Sequence, residues 1–110
     1  MEIKTAVTAL SALAQETRLA AYRALVAAGE AGLPAGEIAS RLDVPPATLS
    51  FHLKELTHAG LVKSRSEGRF VIYAADYAAM TGLIAFLSEE CCGGRPELCL
   101  PAGKADCKTC

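Results

Sequence analysis

Several features common in proteins are missing or scarce in this sequence, and each absence narrows the class of protein. There is no tryptophan, aromatic residues make up only 5%, and no cysteine occurs before Cys91. The chain does not open with a charged segment followed by an apolar stretch, as a secretory signal would. The longest mostly apolar run, from Tyr77 to Leu87, is far shorter than the roughly 20 residues of a membrane-spanning helix. We therefore expect a soluble cytoplasmic protein that has no membrane partner.

Catalytic signatures and a strong positive charge are also missing. The sequence has no Ser/His/Asp constellation and no glycine-rich phosphate loop, so we expect no enzymatic activity. The formal net charge of −1 argues against a simple basic nucleic-acid binder. This total averages two unlike regions, however. Residues 41–69 carry five basic side chains against three acidic ones, whereas residues 76–110 carry three against five.

What is present is the pattern of a small, mainly helical chain. The 110 residues are 52% apolar, and 21 of them are alanine, the best helix former. Apolar spacing predicts five helices, over about residues 2–13, 19–29, 34–42, 46–58 and 76–90. Asp76 is the predicted N-cap of the fifth helix. A chain of this length is expected to form one folded domain rather than two.

A predicted β-hairpin separates the fourth and fifth helices. Two β-prone segments, residues 62–65 and 69–73, flank a Glu67-Gly68 turn, and residues 32–34 are predicted to be a short connection. Helices joined by a tight turn and followed by a hairpin with a basic tip predict a winged helix-turn-helix of order α1-α2-α3-α4-β-β-α5. Residues 1–90 would form this DNA-binding and dimerisation domain. Residues 91–110, rich in Gly, Pro and Cys, would form a flexible tail.

The fourth helix is the predicted recognition helix, because Leu49, Leu53 and Leu56 line one face and leave the other for DNA. The residues predicted to face DNA from this helix and the hairpin are Ala47, Thr48, Ser50, Phe51, Lys54, His58, Lys63, Arg65 and Arg69. Hydroxyls, small side chains and a ring suit the major groove, and arginines suit phosphates or the minor groove. Alternatively, Phe51 is buried against a neighbouring element, and the hairpin and His58 are merely solvated.

Apolar residues extend around most of the fifth helix, which is more than one small domain usually buries. Together with the first helix, this pattern predicts a homodimer interface. Its predicted residues are Ile3, Val7, Leu10, Tyr77, Met80, Leu83, Ile84 and Leu87. A dimer would also double the weak positive charge of the DNA-reading surface. The alternative is an ordinary core helix.

Several stretches resemble the ArsR/SmtB family of winged-helix repressors. Residues 14–19 (AQETRL) look like the opening of the family's second helix. Residues 36–39, 46–56 and 59–62 are similar to its helix-turn-helix signature, and Gly68, Arg69 and Tyr73 fit its wing. The resemblance covers about residues 3–90. It implies a homodimer that binds an inverted-repeat operator in double-stranded DNA and releases it when an inducer ion binds. Within the signature we expect His52, beside the leucines, to be structural.

The resemblance also limits which residues could bind the inducer ion. Members with arsenic-binding cysteines on the third helix, or zinc-binding Asp and His on the fifth, match poorly, because residues 34–42 contain no Cys and residues 76–90 no His. The sequence is similar instead to arsenic repressors in which a vicinal cysteine pair and a third cysteine follow the fifth helix, here Cys91, Cys92 and Cys99. Thiolates are soft ligands that select thiophilic ions. We therefore expect As(III) or Sb(III) as the inducer and no organic cofactor.

Other uses of the cysteines stay open. Cys107 and Cys110 form a C-x2-C pair that could hold zinc or hand on an ion, although an unstructured reactive tail is the simpler interpretation. For the whole cluster the alternative is a disulfide or an oxidation-prone tail. A cadmium-, lead- or thiol-redox-responsive repressor of the same fold is the nearer rival function. A thiol-based arsenic carrier or redox enzyme is the rival from another class.

Overall fold

The computed structural model describes residues 1–89, which form five helices and one three-stranded antiparallel sheet. The helices are α1 (Ile3–Leu13), α2 (Glu16–Ala28), α3 (Ala35–Leu42), α4 (Pro46–His58) and α5 (Tyr77–Leu87). The strands are β1 (Leu33–Pro34), β2 (Val62–Glu67) and β3 (Phe70–Ala75). This order confirms the predicted winged helix-turn-helix. None of the described helices is long and apolar enough to cross a membrane.

Local sequence accounts for where the helices begin. The side chain of Gln15 caps α2 by accepting a 2.9 Å hydrogen bond from the backbone N–H of Arg18. Asp76 caps α5 in the same way, accepting from the N–H of Ala79 at 3.1 Å, as predicted. Pro46 is the first residue of α4, where the missing N–H of proline leaves no hydrogen bond unmade.

Two element boundaries differ from the sequence predictions. Helix α5 ends at Leu87 instead of near residue 90. Ser88 is its C-cap, and the backbone N–H of Ser88 donates to the carbonyl of Ile84 in the last turn. The wing turn consists of Gly68 and Arg69 instead of Glu67 and Gly68, since Glu67 already pairs with Phe70. Gly68 has a φ of 63°, the left-handed conformation that the first position of such a two-residue turn requires.

The segment predicted as a connection before α3 instead forms strand β1. Leu33 pairs with Tyr73 and Pro34 pairs with Ile72, which gives the sheet the order β1-β3-β2. Gly32 permits this pairing, because its φ is +71° and a Cβ there would lie 2.3 Å from the carbonyl oxygen of Tyr73. A strand of two residues is too short to show the alternation by which strands are predicted.

The core fixes one face of α4. The largest fully buried side chains are Leu25, Ile38, Leu49, Leu53, Leu56 and Leu61, and three of the six belong to α4. Burial of each leucine is worth about 1.5–3 kcal/mol relative to exposure. At the turn between α3 and α4, Asp43 adopts a left-handed φ of 54° and the N–H of Val44 donates to the Ala39 carbonyl at 3.0 Å. The core and this turn together set the angle at which α4 presents its other face.

Candidate nucleic-acid interface

Helix α4 is buried on one face and exposed on the other. Leu49 is 1% exposed, and Leu53 and Leu56 are fully buried. All the residues of α4 predicted to face DNA are exposed: Ala47, Thr48, Ser50, Phe51, Lys54 and His58. Phe51 is 57% exposed, so no element within residues 1–89 buries it. The protomer therefore presents a helix face with hydroxyls, one lysine and one aromatic ring.

His52 connects the recognition helix to the rest of the domain. It is 9% exposed, and its Nδ1 lies 3.1 Å from Nη1 of Arg18. The Nε of the same arginine donates a 2.6 Å hydrogen bond to the carbonyl of Ala12, in the last turn of α1. The imidazole also meets the ring of Phe51 edge-on, with centroids 5.4 Å apart. His52 thus has a structural position, as expected from its leucine neighbours.

The three predicted DNA-facing residues of the wing, Lys63, Arg65 and Arg69, are exposed, but Arg65 is already engaged. Its Nη2 donates to the Ala31 carbonyl at 2.7 Å, and its Nε pairs with a carboxylate oxygen of Glu67 at 2.5 Å. These contacts draw Arg65 back onto the body of the protomer. Arg69 occupies the wing turn and makes no ion pair within the described residues.

The wing also exposes apolar side chains that the sequence analysis did not single out. Phe70 is 63% exposed and Val71 is 44% exposed. A Gly-X sequence at Gly68 and Arg69 is a known signal for a two-residue hairpin turn, and that signal places Phe70 directly after the turn. The wing tip therefore combines an aromatic ring with an adjacent cation.

Helix α1 packs on the body through small side chains and exposes its large ones. The buried positions are Ala6, Ala9 and Ala12. The predicted interface residues Ile3, Val7 and Leu10 are 69%, 55% and 42% exposed. A helix that buries alanines and exposes larger apolar residues leaves an apolar face that needs a partner.

The predicted interface residues of α5 divide into two groups. Those that pack at least partly against the protomer core are Tyr77, Met80 and Leu83. Leu83 is only 7% exposed, and the hydroxyl of Tyr77 donates a 2.8 Å hydrogen bond to the Val26 carbonyl. Ile84 and Leu87 lie outside the core and are 54% and 61% exposed. One side of α5 is thus an ordinary core face, and the other is apolar surface.

The predicted ion ligands lie outside the described residues; they are Cys91, Cys92, Cys99, Cys107 and Cys110. Among residues 1–89, no three His, Cys, Asp or Glu side chains form a group that could hold a metal ion. Candidate thiolate ligands therefore come from residues 91–110 alone.

Comparison with known sequences identifies the family to which the chain belongs. A family model described as a helix-turn-helix domain matches residues 13–65. The transcriptional activator HlyU of Vibrio cholerae is 34% identical over 87 residues, which are 79% of this chain and 78% of HlyU. A Halobacterium salinarum protein named "Putative arsenical resistance operon repressor ArsR" is 45% identical over 64 residues, 58% of this chain and 49% of that protein.

Solved structures agree with the sequence matches. An ArsR-like transcriptional regulator from Rhodococcus sp. RHA1 superposes with a TM-score of 0.71 and 28% identity, covering 87% of this chain and 88% of that one. The homodimeric winged helix-turn-helix DNA-binding domain Mb0332 of Mycobacterium bovis gives a TM-score of 0.63 and 25% identity, with 80% and 82% covered. This chain belongs to the ArsR family of winged helix-turn-helix transcriptional regulators.

Proposed function

We propose that this protein is an arsenic(III)-responsive transcriptional repressor. Its apo dimer binds operator DNA and leaves it when As(III) or Sb(III) binds thiolates that follow α5. The observation that carries DNA binding is the division of α4, which buries three leucines and exposes the whole opposite face. That exposed face is what a recognition helix inserts into the major groove.

Several side chains on this face have a chemistry that suits contacts with DNA. The hydroxyls of Thr48 and Ser50 can hydrogen-bond to base edges, and the exposed ring of Phe51 can contact a thymine methyl group. Lys54 supplies a cation for a phosphate. On the wing, Arg69 at the turn supplies another. Phosphate contacts would position the helix, and the α4 contacts would provide the sequence preference.

A homodimer explains the apolar surface that one protomer leaves exposed. Ile84 and Leu87 of α5, together with the outward face of α1, would pack against a second copy. The similar domain Mb0332 is itself homodimeric. Two recognition helices in successive major grooves require half-sites about 34 Å apart. The dimer also doubles the number of phosphate contacts.

The inducer assignment rests on the cysteine pattern of the sequence. Cys91 and Cys92 begin four residues after Leu87, the last residue of α5, and Cys99 follows within the same tail. Three soft thiolates suit As(III), whereas zinc would prefer a fourth ligand. The name of the Halobacterium salinarum relative supports the arsenic assignment. Ion binding next to α5 would alter subunit orientation through the face of α5 that bears Ile84, and a coupling of about 1–3 kcal/mol is typical of allostery.

The test uses a DNA duplex selected from a random library by the reduced wild-type protein. Fluorescence anisotropy then follows its release as arsenite is added. We expect release from the wild type but not from Cys91→Ser, Cys92→Ser or Cys99→Ser, each of which should still bind the duplex. Cys107→Ser and Cys110→Ser are the matched controls and should respond as the wild type does. Continued release from all three site variants would contradict the assignment.

The same assay separates the rival functions. Release by cadmium or lead but not by arsenite would favour a regulator of those ions. Release by peroxide in metal-free buffer, reversed by a reductant, would favour a thiol-redox regulator. Tight arsenite binding without selection of any duplex would favour an arsenic carrier.

A further inference from the structure

Arg18 and His52 lie where they can fix the position of the recognition helix. Arg18 bridges two elements, because its Nε donates to the Ala12 carbonyl at the end of α1 and its Nη1 lies 3.1 Å from His52 Nδ1 on α4. His52 is 9% exposed and directly precedes the leucine at position 53, which is fully buried. Its ring meets Phe51, on the exposed face of α4. One side chain thus joins a predicted dimer helix to the predicted DNA-reading helix.

The chemistry of the two partners fixes the state of the histidine. A guanidinium has five N–H donors and no acceptor, so the Arg18–His52 hydrogen bond requires a lone pair on Nδ1. The ring must therefore be neutral, with its proton on Nε2. A protonated imidazole donates from both nitrogens. Protonation would place two cations face to face at this site and abolish the bond.

We propose that Arg18 and His52 form a positioning pair that fixes α4 against the end of α1 only while His52 is neutral, so that acidification weakens DNA binding. This inference rests on the proposed DNA-binding function. The direction of the effect is diagnostic. Protonation of histidines ordinarily strengthens binding to a polyanion, whereas loss of the positioning pair weakens it.

Other titratable groups beside Arg18 must be separated from His52. A groove between α1 and α4 is lined by Arg18 together with Glu55 and His58, both on α4. The residues of α1 that line the groove are Val7, Thr8, Ser11 and Ala12, and none of these side chains titrates. The chain contains just two histidines, so His58 is the natural control for His52.

The first test needs no DNA. Two-bond ¹H–¹⁵N correlation spectra of the imidazole rings report which nitrogen carries the proton. At about pH 8, where an ordinary histidine is neutral, the wild-type dimer should show His52 as the Nε2–H tautomer. The opposite tautomer, or a doubly protonated ring at this pH, would overturn the proposal.

The second test measures affinity for the selected duplex by anisotropy over a descending pH series that starts at about pH 7.5. The same ring spectra are recorded at each pH and show directly when the His52 ring carries two protons. For the wild type we expect a fivefold to tenfold loss of affinity once the spectra show the doubly protonated His52 ring, about the net effect of one ordinary hydrogen bond. His52→Asn keeps an oxygen acceptor on Cγ, where His52 carries Nδ1, and does not titrate. It should bind with an affinity that changes less than about twofold over the same range.

Controls make the outcomes distinct. Glu55→Gln should retain the wild-type pH dependence. His58→Gln removes an exposed histidine whose protonation would favour DNA, so the loss of affinity at low pH should persist or become larger in this variant. Arg18→Lys keeps the charge but not the two-point bridge, and should weaken binding at pH 7.5 and flatten the profile, with its fold checked by circular dichroism. An unchanged loss of affinity in His52→Asn would overturn the proposal. If the wild type selects no duplex, the proposed function fails, and the ring spectra still support or overturn the Arg18–His52 bond.

Discussion

Arg65 on the wing donates a 2.7 Å hydrogen bond from Nη2 to the backbone carbonyl of Ala31, in the loop between α2 and β1. Its Nε also pairs with Glu67 on the same strand. Arg69, at the turn, makes no ion pair within residues 1–89. The two wing arginines therefore have different roles. Arg65 holds the wing against the body of the protomer, and Arg69 remains available for a phosphate.

Salt dependence of DNA binding should distinguish these arginines. Arg69→Ala removes one cation per protomer from the DNA-facing surface, so it should weaken binding to all duplexes and lower the salt slope by about 1 for each phosphate that is no longer neutralised. Arg65→Ala should leave the slope near that of the wild type and increase amide hydrogen exchange in β2 and β3. Anisotropy titrations at several salt concentrations measure the slopes. An equal drop in slope for Arg65→Ala would place that residue on DNA after all.

The sequence predicts some elements better than others because their determinants are local. The sequence predicts both ends of helix α4 correctly, since Pro46 starts the helix, Gly60 stops it and the leucine spacing sets its buried face. The direction of Arg65 depends on a carbonyl 34 positions away in the chain. Strand β1 exists only through pairing with β3. The split of α5 into core and surface sides also depends on which elements pack beside it. The local sequence of α5 therefore does not indicate which of its apolar residues are buried in the protomer.

A charge on the exposed side of α5 should separate the protomers. Ile84 is 54% exposed and lies outside the protomer core, and an aspartate buried there by a second protomer without a partner is strongly unfavourable. Ile84→Asp should therefore sediment as a monomer at concentrations where the wild type is a dimer. Leu19→Asp, a charge at a 45% exposed leucine of α2, is the matched control and should remain dimeric. Dissociation of both variants, or of neither, would contradict the interface.

Gly32 should be far less tolerant of substitution than Gly68, although both have positive φ. A Cβ at Gly32 would lie 2.3 Å from the Tyr73 carbonyl oxygen, whereas nothing lies within 4 Å of one at Gly68. Gly68→Ala meets only the backbone cost of a left-handed alanine, about 1 kcal/mol. Gly32→Ala adds a clash with the sheet and should lower the free energy of unfolding by about 3 kcal/mol or more. Urea denaturation compares the two variants. Equal losses in the free energy of unfolding would show that β1 shifts at little cost to make room for the added methyl group.

Tyr22 carries a buried hydroxyl that has no hydrogen-bond partner among the described residues. The side chain is 6% exposed. Burying a polar group without a partner costs about 1–3 kcal/mol. Tyr22→Phe removes that group and keeps the ring, so the free energy of unfolding should be unchanged or rise by about 1 kcal/mol. A clear loss of stability at neutral pH would mean that the hydroxyl is bonded, for example to a buried water.

The same variant should also change how stability responds to alkali. Burial raises the pKa of Tyr22 above its usual value, and the negative charge of Asp76 and then the neighbouring Tyr77 raise it further. The unfolded chain therefore releases this proton first, near pH 10, and stability falls from there as the pH rises through the higher pKa of the folded state. Tyr22→Phe lacks this loss, so its advantage over the wild type should grow between about pH 9 and pH 11. Parallel urea titrations at these pH values measure that difference, and a constant gap would show that the Tyr22 phenol ionises alike in both states.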